Sequence, residues 1–456
     1  MSGSLTLPQP ALAPGGPPRG PEGPVGALPR LLPAPGAGPV DLRAHLARYG
    51  ALGSAGGQDR LIREVAAAGL TGRGGAAFPA ARKLAAAGEA RPAPVVVGNG
   101  AEGEPASSKD RSLLWISPPL VLDGLQLAAA AAGSATAVHY VQRDERLHGR
   151  LAGAIAERAA AGMDTARVDL VPAPDRFLAG EESALVSRLT GKPARPVYRP
   201  VRGLPRLAPG RAALVLNVET LAHLALIARY GAAWFRTAGT AAEPGSMLVT
   251  LHLADGRASV AEAPLGASIA GLLGLEVAAG PAGAGVPSVG GAVQAVLVGG
   301  YHGAWLPAAE AAALPLADAA LRPLGALVGA GVLAALPADR CGLAETARVV
   351  RYLALESAGQ CGPCFNGLPR IAAAVGHLAG PRPDPRARAD LDRWAGLAEG
   401  RGACHHPDGS VRFIRSALRV FAAEVSLHEQ GTCSGTNPQP FLPLPSDPPV
   451  ADTDWS

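Results

Sequence analysis

From about residue 41 onward, two hydrophobic periods take turns along the chain. DLRAHLARYGAL and QDRLIREVAAAG carry apolar residues at the three-to-four spacing of amphipathic helices. PVVVGNG (94–100) is a short β-branched run and reads as a strand. The pattern then gives a helix over PLVLDGLQLAAAAAG (119–133), a strand over ATAVHYV (135–141), a helix over 144–162 and a strand over ARVDLVPAP (166–174). This alternation predicts an α/β layer fold. Between 246 and 305 the character changes: SMLVTLHLA, RASVAEAP and AVQAVLVGG are short strand-like runs separated by turns, which predicts a small β-rich module. From about 338 the period returns to helical in AETARVVRYLALESAG, PDPRARADLDRWAGLAEG and SVRFIRSALRVFAAEVSLHE. The expected organisation is a Pro/Gly-rich disordered tail (1–40), an α/β domain (41–242), a β-rich module (243–310), a helical domain (311–435) and a polar, Pro-rich tail (436–456).

Composition narrows the function classes. The 456 residues leave room for several domains, and 48% hydrophobic with 17% charged content suits a soluble globular protein. A net charge of +4 makes no electrostatic case for nucleic acid. No apolar run reaches the length of a membrane span; GALVGAGVLAALP (325–337) is too short and is followed by Asp339 and Arg340. The N-terminus lacks a basic start followed by an apolar segment, so a signal peptide is not expected. Five cysteines make no disulfide framework, and four of them fall in the last hundred residues, which favours a metal or cluster site in a reducing cytoplasm.

Candidate chemistry gathers in a few places. Among 41 Lys plus Arg only three are Lys (Lys83, Lys109 and Lys192), and two of these lie in glycine-rich loops, where a compact ammonium differs from a planar guanidinium. The loop 72–77 satisfies G-x-G-x-x-A. It is either a tight turn or a site where bare backbone N–H groups approach a phosphate, with Lys83 adding charge. Glu102-Gly103-Glu104 and Gly180-Glu181-Glu182 set carboxylates beside glycines, as solvated turns or as acceptors for ribose or flavin groups. Cys361-x-x-Cys364 with Cys404 is the metal candidate, although three thiolates do not complete a four-thiolate site. His405 and His406 are expected to face solvent, and Cys341 and Cys433 to remain unliganded. No G-x-S-x-G elbow or other hydrolase signature occurs.

Taken together, GLTGRGGAAFPAARK (69–83), NGAEGEPASSKDR (99–111), AGEESAL (179–185), NVETLAHLALIARYGAAWF (217–235), ESAGQCGPC (356–364) and Cys404 resemble the NADH-binding flavoprotein subunit of respiratory complex I, the F subunit of NADH-quinone oxidoreductase. Related chains occur in soluble hydrogenases and formate dehydrogenases. The resemblance covers about 41–433. It implies a Rossmann-like FMN domain, an SLBB-type β-grasp module and a helical bundle with a 4Fe-4S cluster. NADH would pass a hydride to FMN, whose electrons would leave singly through the cluster to a quinone reductase, a ferredoxin-like protein or another redox partner. By motif position, Gly72, Gly74 and Lys83 would hold the FMN phosphate side. Asn99, Glu102, Gly180, Glu181 and Glu182 would line the flavin and NADH site, with Glu102 and Glu182 as the catalytic carboxylates. Asn217 and Thr220 would complete the cradle, Phe78 would stack on NADH, and Cys361, Cys364 and Cys404 would ligate the cluster. The implied location is cytoplasmic, or peripheral on the inner face of the membrane through a partner.

The departures are equally specific. Ala101 replaces a family Asp and Leu216 a family Asn. The aromatic expected after Lys83 is absent, and Arg195-Pro196-Val197-Tyr198-Arg199 stands where the family has K-P-P-F-P. Ala358 occupies the position of the first cluster cysteine. A fourth ligand from Ser357 or a spare Cys, an open iron, or loss of the cluster are the alternatives. The corresponding alternatives in function are a catalytically degenerate scaffold and a cluster-free, diaphorase-like flavoprotein.

Overall fold

The computed structural model describes residues 28–34, 36–52, 57–199, 203–207, 210–275, 277–278, 288–289, 293–381, 384–445 and 455–456. Four strands, β1 (Val95–Gly100), β2 (Thr136–Gln142), β3 (Arg167–Ala173) and β4 (Ala213–Asn217), form an entirely parallel sheet in the order β3-β2-β1-β4. The β-branched run of β1 suits a strand covered on both faces. Val96 belongs to the core under the helices Pro118–Ala131 and Val218–Phe235, whereas Val97 faces a smaller core with Tyr140, Leu185 and Val215. The two helices pack backbone to backbone. A Cβ on Gly124 would sit 1.9 Å from the Leu221 carbonyl oxygen, so only glycine admits this approach. The Rossmann-like α/β layer expected for the first part of the chain is present.

A second sheet contains β5 (Ser246–His252), β6 (Ala258–Pro264), β9 (Val293–Val298), β10 (Ala304–Pro307) and β11 (Val332–Pro337), ordered β10-β9-β11-β5-β6. The two-residue strands β7 (Val277–Ala278) and β8 (Ser288–Val289) pair beside it. Its central strand β11 lies past residue 310, where the β-rich module was expected to end, and pairs parallel with β5 and antiparallel with β9. The unbroken apolar run of β11 hides its period because both faces are buried. Val332, Ala334 and Leu336 enter the core shared with the C-terminal helices, whereas Leu333 and Ala335 enter the core of the module itself. Five helices follow: Gly342–Leu355, Leu368–Leu378, Ala387–Ala398, His406–Val420 and Ala422–Glu429.

Both expected tails are partly folded. Leu31 is fully buried, and Glu262 accepts from the Arg30 and Leu31 amides at 2.7 and 2.8 Å. The rest of the N-terminal expectation, 1–27 and 35, lies outside the described residues. At the other end, the Thr436 and Asn437 amides donate to the Asp339 carbonyl, and Leu442 is buried with its amide on Glu345 at 3.0 Å. Trp455 is buried against Leu178 and Ala358 under the Arg176 guanidinium, 4.2 Å from its ring; 446–454 lie outside the described residues. Proline-rich composition hid these contacts because each depends on a partner contributed by a part of the chain distant in sequence.

Candidate functional site

The parallel sheet reverses direction at β1: the chain moves outward through β2 and β3, then returns as β4 on the other side of β1. Open α/β sheets bind ligands beyond the carboxyl ends of the strands at such a switch. Asn99, near the end of β1, and Asn217, the last residue of β4, are register partners there. Asn99 Nδ2 donates to the Gly180 carbonyl at 2.8 Å. Asn217 caps the helix Val218–Phe235, accepting from the Glu219 amide at 2.9 Å, and its Nδ2 donates to Asp110 at 2.6 Å.

Two adjoining cavities open at this point. One of about 400 Å³ is lined by Gly72, Gly74, Phe78, Lys83, Glu182 and Thr220, among others. The other, about 260 Å³, is lined by Arg73, Glu102, Glu104, His302, Cys404 and His406, among others. Both also contain Gly74, Asn99, Gly180, Glu181, Asn217 and His405 in their walls. All residues expected in the flavin and NADH site therefore line one cleft.

The walls are built by close backbone contacts. The Gly72 amide closes the glycine loop on the Phe78 carbonyl at 2.8 Å, and the Arg73 amide is pinned to Thr220 Oγ1 at 2.9 Å. Thr220 is itself buried. A Cβ on Gly103 would meet the Phe177 oxygen at 2.3 Å, and one on Gly180 the Ala101 oxygen at 2.6 Å. The glycines between the carboxylates thus let two acidic loops interlock. Phe78 stays 42% exposed at the cavity wall, with the Arg82 guanidinium 5.4 Å from its ring.

The carboxylates divide by partner. Glu102 accepts from the Asp110 and Arg111 amides at 3.1 and 3.0 Å at the start of the helix Lys109–Ile116, and from the Ser107 hydroxyl. Glu181 caps the helix Glu182–Leu189 through the Ser183 and Ala184 amides. Lys83 Nζ reaches Glu182 at 2.8 Å and the Val215 carbonyl at 3.2 Å, with both side chains partly exposed to the cleft. Lys109, by contrast, is buried, bridging Asp110 at 2.7 Å and Glu219 at 2.9 Å. Burial lifts the Asp110 carboxyl to about 6 despite Lys109.

The pairing of His302 with His406 carried no local signal, and Glu104, a candidate of the acidic loop, carried none of its proton affinity. Burial lifts Glu104 to about 7, against the opposing Tyr301 and Ala106 amides. His302 Nε2 lies 3.0 Å from His406 Nδ1, and His406 Nε2 lies 2.8 Å from the Leu353 carbonyl. Burial lowers His406 to about 4 and His302 well below its ordinary value, so both are neutral near pH 7. His405 is fully exposed as expected, but His406 is 1% exposed: adjacent residues at a helix start point in different directions. Glu104 binds an extra proton in the folded chain between pH about 4.5 and 7, so its stability cost grows as pH rises through that window and is constant above it. Glu104→Gln should therefore gain about 2–3 kcal/mol on the parent between pH 5 and 8, from one-unit steps of 1.36 kcal/mol. Urea unfolding at the two pH values checks this, and a pH-independent difference contradicts it.

The cysteine group lies at the end of the helix Gly342–Leu355. Cys361 and Cys364 form the turn before the helix Leu368–Leu378, and Cys404 precedes the helix His406–Val420. Burial pushes the Cys364 thiol up to about 12; a hydrogen bond with Ser357 opposes this, and neighbouring Cys361 and Cys404 add to it. Burial likewise raises Cys404 to about 11. Three thiols and the Ser357 hydroxyl thus converge, while buried Ala358 packs with Leu178 and Trp455.

Comparison with known proteins matches this geometry. Residues 65–226 match the Nuo51 FMN-binding domain, and residues 344–428 the NADH-ubiquinone oxidoreductase-F iron-sulfur binding region. The second NADH-quinone oxidoreductase F subunit of Rhizobium meliloti is 30% identical over 400 residues, covering 82% of this chain and 90% of that relative. The chain belongs to the family of NADH-quinone oxidoreductase F subunits. Another member, the F subunit of the Streptomyces coelicolor enzyme, is 28% identical over 82% of this chain and 84% of its own length. A crystal structure of NAD+-reducing [NiFe]-hydrogenase in the air-oxidized state superposes with a TM-score of 0.71 at 31% identity, covering 86% of this chain. This chain spans 65% of that hydrogenase chain.

The flavin fits the chain's own atoms, and the cysteines supply three of a cluster's four ligands. The buried Arg73 guanidinium, held by Thr71 at 2.8 Å, leaves Nε and Nη2 without a hydrogen-bond partner beside the glycine loop, which suits an anionic ligand. At the cysteine turn the donor set is soft and thiolate-rich, as an iron–sulfur cluster requires, but Ala358 offers no ligand.

Proposed function

We propose that the chain is an FMN-dependent, NADH-oxidising electron-transfer subunit that passes electrons through an iron–sulfur cluster to a partner protein. The observation that carries this reading is the cleft at the β1/β4 switch, which opens on one side to the glycine loop and on the other to Cys404. The chemistry that FMN supplies when bound is hydride acceptance from NADH and single-electron release. The protein's part is placement. Gly72 and Gly74 keep the loop free of side chains where a phosphate would approach, with Lys83 as the nearby cation. Asn99, Gly180, Glu181, Asn217 and Thr220 shape the cradle, and Phe78 offers an exposed ring for stacking on the nicotinamide nucleotide. Glu182 acts at the cleft through its pair with Lys83, and Glu102 by holding the acidic loop on the helix start. Cys361, Cys364 and Cys404 hold the cluster, with the Ser357 hydroxyl beside Cys364 as a candidate oxygen ligand.

The first α/β domain (41–242) is the FMN and NADH unit in this reading, and the C-terminal helices are the cluster unit. The electron acceptor is an iron–sulfur redox protein or a membrane reductase complex, and the site of action is the cytoplasm or the inner membrane face. Among the described residues no single helix is long and apolar enough to cross a membrane. Anaerobically purified protein should be yellow, retain FMN, and bleach on NADH addition. A preparation that is colourless and stays empty after incubation with FMN sinks the proposal. That outcome would favour a scaffold subunit, the reading to which Ala101, Leu216 and Ala358 point.

A further inference from the structure

The two cysteines outside the thiol turn come together at the far end of the same helix. Cys341 caps the start of the helix Gly342–Leu355, and the Ala344 amide donates to its sulfur at 3.3 Å. Glu424 and His428, one turn apart on the helix Ala422–Glu429, face it, and Cys433 follows in the next loop. One ligand atom from each of these four residues lies within 4.8 Å of the other three.

Three of the six edges match one face of a metal-sized tetrahedron, and Cys433 Sγ lies within 4.8 Å of all three atoms. Cys341 Sγ lies 3.5 Å from His428 Nε2 and 3.7 Å from Glu424 Oε1, and His428 Nε2 lies 3.2 Å from the same Glu424 oxygen. Zinc bonds of about 2.3 Å to sulfur and 2.0–2.2 Å to nitrogen or oxygen give tetrahedral edges of about 3.3–3.6 Å for S–N, S–O and N–O pairs. Supporting contacts are also present. Ser434 donates both its amide, at 3.0 Å, and its hydroxyl to Glu424, fixing the carboxylate. Gly435 lies so close that a Cβ there would meet the Cys341 nitrogen at 2.7 Å.

We propose that Cys341, Glu424, His428 and Cys433 form a structural site for one zinc ion, separate from the cluster thiols and independent of the flavin reading. The two cysteine groups flank a 14-residue helix, which spans about 20 Å, and share no ligand. Two thiolates, an imidazole and a carboxylate fill all four tetrahedral positions, so the site is closed and structural. Its effect is to staple the segment from Cys433 to Leu444, which crosses the helical domain, to the helix that also leads to the cluster turn.

The test is metal analysis of the full chain, purified without chelators and supplied with one equivalent of zinc. About one zinc per chain is expected. It should be lost in Cys433→Ser and in His428→Ala, and kept in Cys404→Ser. Cobalt titration of the unsubstituted chain guards against misfolded variants: thiolate-to-cobalt charge-transfer and tetrahedral d–d bands should appear, persist in Cys404→Ser and vanish on zinc addition. Zinc well below one equivalent, zinc retained in Cys433→Ser, absence of the cobalt bands, or a Cys341–Cys433 disulfide in anaerobic peptide maps would each overturn the proposal.

Discussion

Glu219→Ala should cost roughly 3–5 kcal/mol, the range for removing one partner of a buried ion pair. Glu219 is fully buried. Its Oε2 accepts from Lys109 at 2.9 Å and its Oε1 from the Leu248 amide at 2.9 Å. The substitution strands that amide and leaves the buried Lys109 ammonium with Asp110 alone. Glu219→Gln keeps an oxygen for Leu248 and should cost less than the alanine variant. The knot also joins the first sheet to the second, because Leu248 lies on β5 while Asp110 holds Asn217 at the end of β4. Burial opposes ionisation of Glu219, but Lys109, His223 and Arg73 outweigh it and hold the carboxyl at about 2. A depressed pKa of this kind stabilises the fold above the ordinary carboxylate range, and that stability is lost as pH falls from about 4.5 towards 2. Denaturant unfolding of parent and variants at pH 7 and pH 3 measures both effects. A Glu219→Ala variant within 1 kcal/mol of the parent at pH 7 would contradict the assigned role.

The second large effect concerns the missing thiolate. Ala358→Cys should complete a four-cysteine set and raise iron and acid-labile sulfide towards about four of each per chain, with a cluster that survives air longer than in the parent. Ala358 is 8% exposed in a cluster with Leu178 and Trp455 against which Cys404 packs, so an added sulfur is shielded from solvent in the neighbourhood of a cluster thiol. Cys364→Ala, at a buried position, should abolish the cluster while leaving FMN content unchanged, since Cys364 lines neither cavity at the sheet switch. Iron, sulfide and flavin assays on the same preparations read all three quantities. Ala358→Cys with no gain in iron would mean that Ser357 already completes the site or that the turn holds no cluster. EPR of the reduced parent separates these two.

Much of the site was legible because its determinants are local. Gly103 and Gly180 follow from close backbone approach and Gly75 from its φ of +100°, which a sequence records directly as an absent side chain. The spacing of Cys361 and Cys364 states a ligand turn in the same way. Lys83 and Lys109 drew attention for one shared reason, rarity in an arginine-rich chain, yet Lys83 is partly exposed in the cleft whereas Lys109 is buried in its wall by two carboxylates. Nothing near Lys109 distinguishes it, since its burial depends on Glu219, 110 residues away. Glu104 was legible as an acidic-loop carboxylate, but its raised proton affinity and the lowered ones of His302 and His406 were not, because they come from desolvation by elements far apart in the chain.

By itself the sequence determined the α/β alternation, the β-rich middle, the helical end and the motif loops, because periodicity and bare backbone are properties of neighbouring residues. Only the tertiary structure decided that β11 is the central strand of the second sheet, since a strand buried on both faces carries no alternation to read. It also decided that Leu31, Leu442 and Trp455 are buried within segments composed like tails. The same holds for Cys341 and Cys433, which converge with Glu424 and His428 only after the helices have packed. Each of these outcomes rests on long-range contacts, whose loop-closure cost is recovered only when the whole core forms.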